Sequence, residues 1–248
     1  LNHCRNRGSE VLLGDLSHIH VWEQGGISQL GGVHPRTLRN LPDGTFSLEE
    51  LRQLVRGDNP HWPVTSLVCV ENTHNMAGGR VLPLRWLDEL GATCRSLGLP
   101  VHMDGARLLN AAAALEVPPA RLVRDCASVS VCLSKGLGAP VGSVVAGTKD
   151  FIRGALRLRK ALGGGMRQAG VLAAAGIFAL DHVAPALARD HAGVKKEEIK
   201  ETGEEVIVRV LPMTASTVRL VVHCDIKPED IPLVIKKLVY VIREFENE

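Results

Sequence analysis

At 248 residues, with 45% hydrophobic and 23% charged content, the chain can bury one large core or two modest ones, which excludes intrinsic disorder. A formal net charge of +2, with no long run of Lys or Arg, excludes the electrostatic footprint of a nucleic-acid or anionic-membrane binder, so the expected partner is a small molecule. No apolar stretch reaches the roughly 20 residues of a membrane span, and the start, at Leu1 rather than Met, lacks a charged segment followed by an apolar one.

The six cysteines are scattered, with none in a C-x-x-C pair. Several lie in apolar runs, where a thiol packs as a small hydrophobe, and they predict a reducing compartment, the cytoplasm or the mitochondrial matrix. In chain order, His18 and His20 alternate on a strand-like segment. Leu67 to Val70 predicts a strand that runs into polar Glu71, Asn72 and Thr73. Leu84 to Leu97 predicts a helix, with Pro83 near its first turn and Gly98 as its stop. Strands are expected from Pro100 to Met103, ending at Asp104, and from Val129 to Leu133, ending at Ser134 and Lys135. Apolar runs alternating with helical patterns predict an α/β fold with a largely parallel sheet, and the polar strand ends lie where such sheets place ligands.

An Ala-rich helix follows from Val171 to Ala188. Lys195 to Glu205 is dense in Lys and Glu and reads as a solvated linker or exposed helix. Val218 to His223 predicts a short strand. From Ile231, the positions Val234, Ile235, Leu238, Val241, Ile242 and Phe245 share one helical face. The expected organisation is a large domain over 1–190 and a shortened C-terminal domain over 191–248. No repeat and no metal site is expected.

The chemistry centres on Lys135. A strand that runs into a lysine and then into glycines presents an amine at a strand end beside closely approachable backbone. A lysine shielded there can attack an aldehyde, while a surface lysine in a Gly-rich turn has an equal claim on the same segment. Asp104, upstream at the end of another strand, is the carboxylate a pyridinium nitrogen requires, and Arg107 lies within reach of an anion in the same site. Taken alone, Asp104 also suits a cap of a helix starting near Ala106, and Arg107 suits its ion partner.

The segments 17–26 (SHIHVWEQGG), 71–75 (ENTHN), 102–110 (HMDGARLLN), 134–143 (SKGLGAPVGS) and 163–168 (GGGMRQ) occur in that order. Together they resemble the L-threonine aldolases of pyridoxal-phosphate (PLP) fold type I. The resemblance covers about 8–190 and returns at about 218–226. It implies a fold type I large domain with a mixed, mostly parallel sheet, pyridoxal 5'-phosphate as cofactor, and a homo-oligomer, dimer or tetramer.

The implied activity is cleavage of L-threonine or L-allo-threonine to glycine and acetaldehyde, in threonine catabolism and glycine biosynthesis. By the same resemblance Lys135 carries the cofactor, Asp104 partners its ring nitrogen and His18 stacks on its ring. Arg107 and Arg219 hold the substrate carboxylate, and His74 lies near the β-hydroxyl, where it or a bound water is the base. Arg167 lies near the phosphate or a subunit contact.

The sequence departs from the family in two places. The Ser-Gly-Thr phosphate cup expected upstream of Gly8 has no counterpart, and the span from Asp190 to Val218 is shorter than the family's helix-and-strand unit. The expectation that follows is weak PLP binding and low turnover, with a non-catalytic truncated remnant as the alternative reading. A further alternative is another fold type I enzyme, an aminotransferase or β-eliminating lyase, which would not share the 163–168 loop.

Overall fold

The computed structural model describes residues 1–188, 211–214, 217–219, 228–236 and 239. The Lys195 to Glu205 segment, the expected boundary at 190, most of the strand beyond Arg219 and the far end of the terminal helix lie outside the described residues. Residues 231–236 are helical, as the apolar spacing from Ile231 predicts.

Six strands form one sheet: β1 (Ser9–Gly14), β2 (His34–Leu38), β3 (Val64–Glu71), β4 (Val101–Asp104), β5 (Ser128–Cys132) and β6 (Ser143–Gly147). Their order is β2-β1-β3-β4-β5-β6, parallel throughout except for β6, which pairs antiparallel with β5. The sheet is thus mixed and mostly parallel, as expected. From β1 the chain moves outward to β2, then returns to place β3 on the other side. The crevice between the carboxyl ends of β1 and β3 is therefore a topological switch point, where open α/β sheets bind ligands.

Side-chain alternation divides the sheet's two faces. Leu12, Val68, Val70, Val101, Met103 and Val129 enter the main core, together with Leu51 of α3 (Leu48–Leu54), Leu87 and Leu90 of α4 (Leu84–Ser96), Leu108 and Ala111 of α5 (Leu108–Leu115) and Leu122. Ser47 caps α3 by accepting the Glu50 N–H at 3.2 Å, in a Ser-x-x-Glu pattern that sets two acids in the first turn. Helix α4 begins after Pro83 and stops before Gly98, whose φ of +67° suits glycine, as expected. On the opposite face, Val11, Leu13, Leu67 and Cys69 form a smaller cluster with Cys4 and Val33.

Two expectations are corrected. The His18 to Val21 segment is one helical turn, not a strand. Its first free N–H groups are met in part by a carboxylate from β3, a tertiary contact that alternation along the sequence cannot reveal. The helix expected over Val171 to Ala188 is regular only from Gly170 to Phe178; it then passes through a π turn, Ala179–Val183, and a 3-10 turn, Ala184–Ala186. Pro185 lacks the N–H that an α-helix needs, and the widened turn precedes it.

Strand β6 is exposed along its whole length, α7 (Lys149–Ala161) buries no residue, and α8 (Gly170–Phe178) leaves Val171, Ile177 and Phe178 in solvent. Val144, Val145, Leu156, Met166, Ala169 and Leu172 line an apolar groove of about 580 Å³ between these elements. A separate two-stranded antiparallel ladder joins β7 (Leu211–Thr214) to β8 (Thr217–Arg219).

Candidate active site

The face of the sheet away from the main core is polar over its last three parallel strands. Cys69 pairs in register with His102 and Glu71 with Asp104, while His102 and Asp104 pair with Ser128 and Ser130. Partners in parallel register point to the same side, so Glu71, Asp104 and Ser130 share one face at the strand ends. The Asn72 N–H donates to the Asp104 carbonyl at 2.8 Å and the Gly105 N–H to the Ser130 carbonyl at 2.8 Å, which fixes these ends against one another.

Asp104 is half-buried, and burial pushes its carboxyl above the ordinary carboxylate range, helped by the Glu71 charge. The Ala106 N–H, donated to Oδ1 at 3.1 Å, and the charges of Lys135 and His18 pull the other way. The charges of Lys135 and His18 therefore both reach Asp104, while its Oδ1 holds a turn that precedes α5. The helix itself has Arg107 at its N-cap and no side-chain cap, so Asp104 does not cap it.

Lys135 sits in the turn after β5. The Gly138 N–H closes on the Lys135 carbonyl at 2.8 Å and the Ala139 N–H on the Leu133 carbonyl at 3.0 Å. Leu133, Leu137 and Ala139 are buried with Ala179 beneath the turn, which anchors it while the lysine projects. A Cβ at Gly136 would stand 2.9 Å from Asn110 Nδ2 and closer still to its Oδ1, so only glycine fits beside α5. Lys135 itself is exposed rather than shielded as expected.

His18 and His74 flank the switch point. Glu71 is buried at the end of β3; its Oε2 accepts the His18 N–H at 2.6 Å and its Oε1 the Asn75 N–H at 2.8 Å. His74 is 1% exposed, and burial lowers its proton affinity against the opposing pull of Glu71 and Asp15. Its Nδ1 accepts the Ala77 N–H at 3.3 Å, which assigns the proton of the neutral ring to Nε2. That Nε2 and the Nδ2 of fully buried Asn72 are the two buried side-chain polar atoms without a partner among the described residues. Asn72 Oδ1 accepts from the Leu82 N–H at 3.2 Å, so the amide orientation is set and a donor is left over. Two orphaned donors in the segment after β3, at one wall of the switch-point crevice, fit a cofactor rich in oxygen acceptors.

Arg107 is half-buried and precedes α5, three residues after Asp104. Arg167 lies in the fully exposed 163–168 loop, and no contact joins it to Asp104 or Lys135. The backbone of Arg219 ends β8, and its side chain lies outside the described residues. Sequence reasoning gave Glu71 and Asn72 no role. The polar run after β3 was the available signal, but the burial and bonding that distinguish these two residues are tertiary.

Comparison with known proteins agrees with this geometry. The chain is 52% identical over 195 residues to Low-specificity L-threonine aldolase 1 of Arabidopsis thaliana, covering 78% of this chain and 54% of that one. It is 41% identical over 209 residues to Low specificity L-threonine aldolase of Escherichia coli K12, covering 84% and 62%. The chain thus spans less than two thirds of the length of these relatives. The fold matches that of threonine aldolase from Leishmania major with a TM-score of 0.66 and 20% identity, covering 78% of this chain and 57% of that one. The family described as beta-eliminating lyase matches residues 1–224. With its relatives among the L-threonine aldolases and its sheet ending in this cluster, the chain belongs to the beta-eliminating lyase family.

Proposed function

We propose that the chain carries the site of a PLP-dependent aldehyde-lyase that cleaves L-threonine and L-allo-threonine to glycine and acetaldehyde. The observation that carries this reading is the placement of His18, Asp104 and Lys135 at the carboxyl ends of β1, β4 and β5, parallel strands of one sheet, in a chain 52% identical to a protein named for that activity. Pyridoxal phosphate, when bound, supplies an aldehyde carbon for an amine and a ring that takes up the electron pair of a breaking bond.

Lys135 offers that amine from an anchored turn. Asp104, a carboxylate of raised proton affinity, accepts from a ring nitrogen and keeps it protonated. His18 would help to hold the ring, and the unpartnered Asn72 Nδ2 is a donor available to an enclosed acceptor. His74 holds its proton on Nε2, so it donates to the substrate's β-oxygen and orients it, which leaves a bound water as the base. Arg107 and Arg219 grip the substrate carboxylate, and Arg167 serves the phosphate or a subunit contact.

We further propose that residues 1–190 form the cofactor domain, 191–248 a small second domain, and that the chain works as a homo-oligomer. The solvent-facing apolar side chains of β6, α7 and α8 support a subunit contact there. Among the described residues no helix is long and apolar enough to cross a membrane, and five cysteines are free thiols, which supports a reducing compartment, the cytoplasm or the mitochondrial matrix.

The test is titration of the chain with pyridoxal phosphate, borohydride reduction, peptide mapping, and assay of acetaldehyde from both substrates. The expected result is a pyridoxyl group on Lys135 and acetaldehyde released. A pyridoxyl group on Lys149 or Lys160, or saturating cofactor with no acetaldehyde, would overturn the reading.

A further inference from the structure

Two carboxylates are buried in the sheet, and they are solvated differently. Glu10 in β1 is fully buried, and its charge meets the Arg56 guanidinium at 3.2 Å, the Thr65 hydroxyl at 2.9 Å and His34 at 3.9 Å. Glu71 in β3 is 5% exposed and is in register with a second carboxylate, Asp104. Burying one carboxylate beside another is unfavourable, and fold stability alone would select a neutral side chain there.

What Glu71 does make is two backbone bonds of unusual placement. Its two oxygens take N–H groups from two chain segments 57 residues apart, the His18 amide of the turn after β1 and the Asn75 amide of the loop after β3. These are the two sides of the switch-point crevice, and each carries one of the candidate histidines. We propose that Glu71 is a positioning residue: its carboxylate clamps the His18 turn to the His74 loop and holds a fixed negative charge beside Asp104.

This proposal rests on the reading that a cofactor ring nitrogen meets Asp104. The clamp fixes the separation of His18 and His74 across the crevice, so both meet the bound ligand without a further ordering cost. The charge raises the proton affinity of Asp104, which makes it a stronger acceptor toward a protonated ring nitrogen. The charges of Lys135 and His18 oppose that effect. Both consequences require the carboxylate and are lost with an amide of the same size. A glutamine can accept one of the two N–H groups and must face the other with its own N–H.

The experiment compares the chain with Glu71→Gln, Glu71→Asp and Glu10→Gln variants through two readouts. The first, made without cofactor, follows the backbone amide resonances of His18 and Asn75. Both should move upfield in Glu71→Gln, and one of them in Glu71→Asp, whose shorter arm reaches one donor. The second is a pyridoxal phosphate titration. Affinity should fall roughly tenfold or more in Glu71→Gln, the loss of one charge-assisted bond, while Glu10→Gln lowers thermal stability and leaves affinity within about twofold.

If Glu71→Gln does not fold, Glu71→Asp carries both readouts. Unmoved His18 and Asn75 amides overturn the clamp. Equal loss of affinity in the Glu10 and Glu71 variants, or none in either, reduces Glu71 to an ordinary buried acid. A wild-type chain that takes up no cofactor refutes the cofactor reading and the charge effect on Asp104, and the amide readout still decides the clamp.

Discussion

Acidification should destabilise the fold through His102, whose Nδ1 lies 2.7 Å from the Ser128 hydroxyl. The same hydroxyl lies 2.7 Å from His3 Nε2, so one O–H serves two imidazoles. Burial, then the neighbouring His3 and N-terminal charges, lower the His102 pKa from 6.5 to about 4. A histidine lowered on folding favours the native state fully above 6.5, and that contribution is lost as pH falls toward about 4. Between about pH 7.5 and about pH 4.5 the linkage relation gives a loss of about 2–2.5 kcal/mol from this residue alone. His102→Asn keeps a nitrogen near the Nδ1 position and removes the titration. Urea unfolding across that range should give the variant a profile shallower than its parent's by about 2 kcal/mol. His74, lowered by burial with the same sign, and Asp104, raised with the opposite sign, remain in both proteins and cancel in the comparison, which is made in a His3→Asn background because His3 shares the Ser128 hydroxyl. Parallel profiles would refute the assignment of this acid sensitivity to the His102 and Ser128 pair.

Gly136→Ala should lower stability by about 1–3 kcal/mol through overlap with Asn110 and reduce borohydride trapping at Lys135; an unchanged melting temperature would mean the turn is free to shift. Arg56→Met leaves the buried Glu10 carboxylate with the Thr65 hydroxyl and a distant histidine, and should cost about 2 kcal/mol in urea unfolding above neutral pH. Trp86→Phe removes the indole N–H that donates to the Phe46 carbonyl at 3.1 Å, and a loss near 1 kcal/mol is expected. A loss indistinguishable from zero would mean that water replaces that bond.

The strands that deliver the site were legible because each is an apolar run cut short by a polar residue. Leu67 to Val70, Pro100 to Met103 and Val129 to Leu133 became β3, β4 and β5 within a few residues. Helix α4 was legible from its proline and glycine ends, which act locally. What escaped depends on residues far apart in the chain. The His18 turn is held by a carboxylate 53 residues away, and Lys135 is exposed, which its strand and its glycine neighbours do not reveal. Asn72 and Glu71 look like ordinary polar residues after a strand until burial leaves one with an orphaned donor and the other with two distant amides. Pro185 stands inside the Ala-rich run, and a proline there marks the turn at which the regular α-helix gives way.

The strand order also sets when the site can exist during synthesis. After β1 gains β2 on one side and β3 on the other, each later strand docks beside the one made just before it. The ribosome can therefore extend the sheet edge by edge, with the growing margin always the newest strand. Asp104 arrives with β4, but the lysine follows β5, in a turn closed by the Gly138 and Ala139 N–H groups, and the Leu133 N–H bonds to the Gly142 carbonyl beyond it. A nascent chain has the crevice walls and Asp104 in place before Lys135 can reach them. On the proposed function, covalent capture would wait for Lys135, and a chain stalled before that point holds an open parallel margin without it.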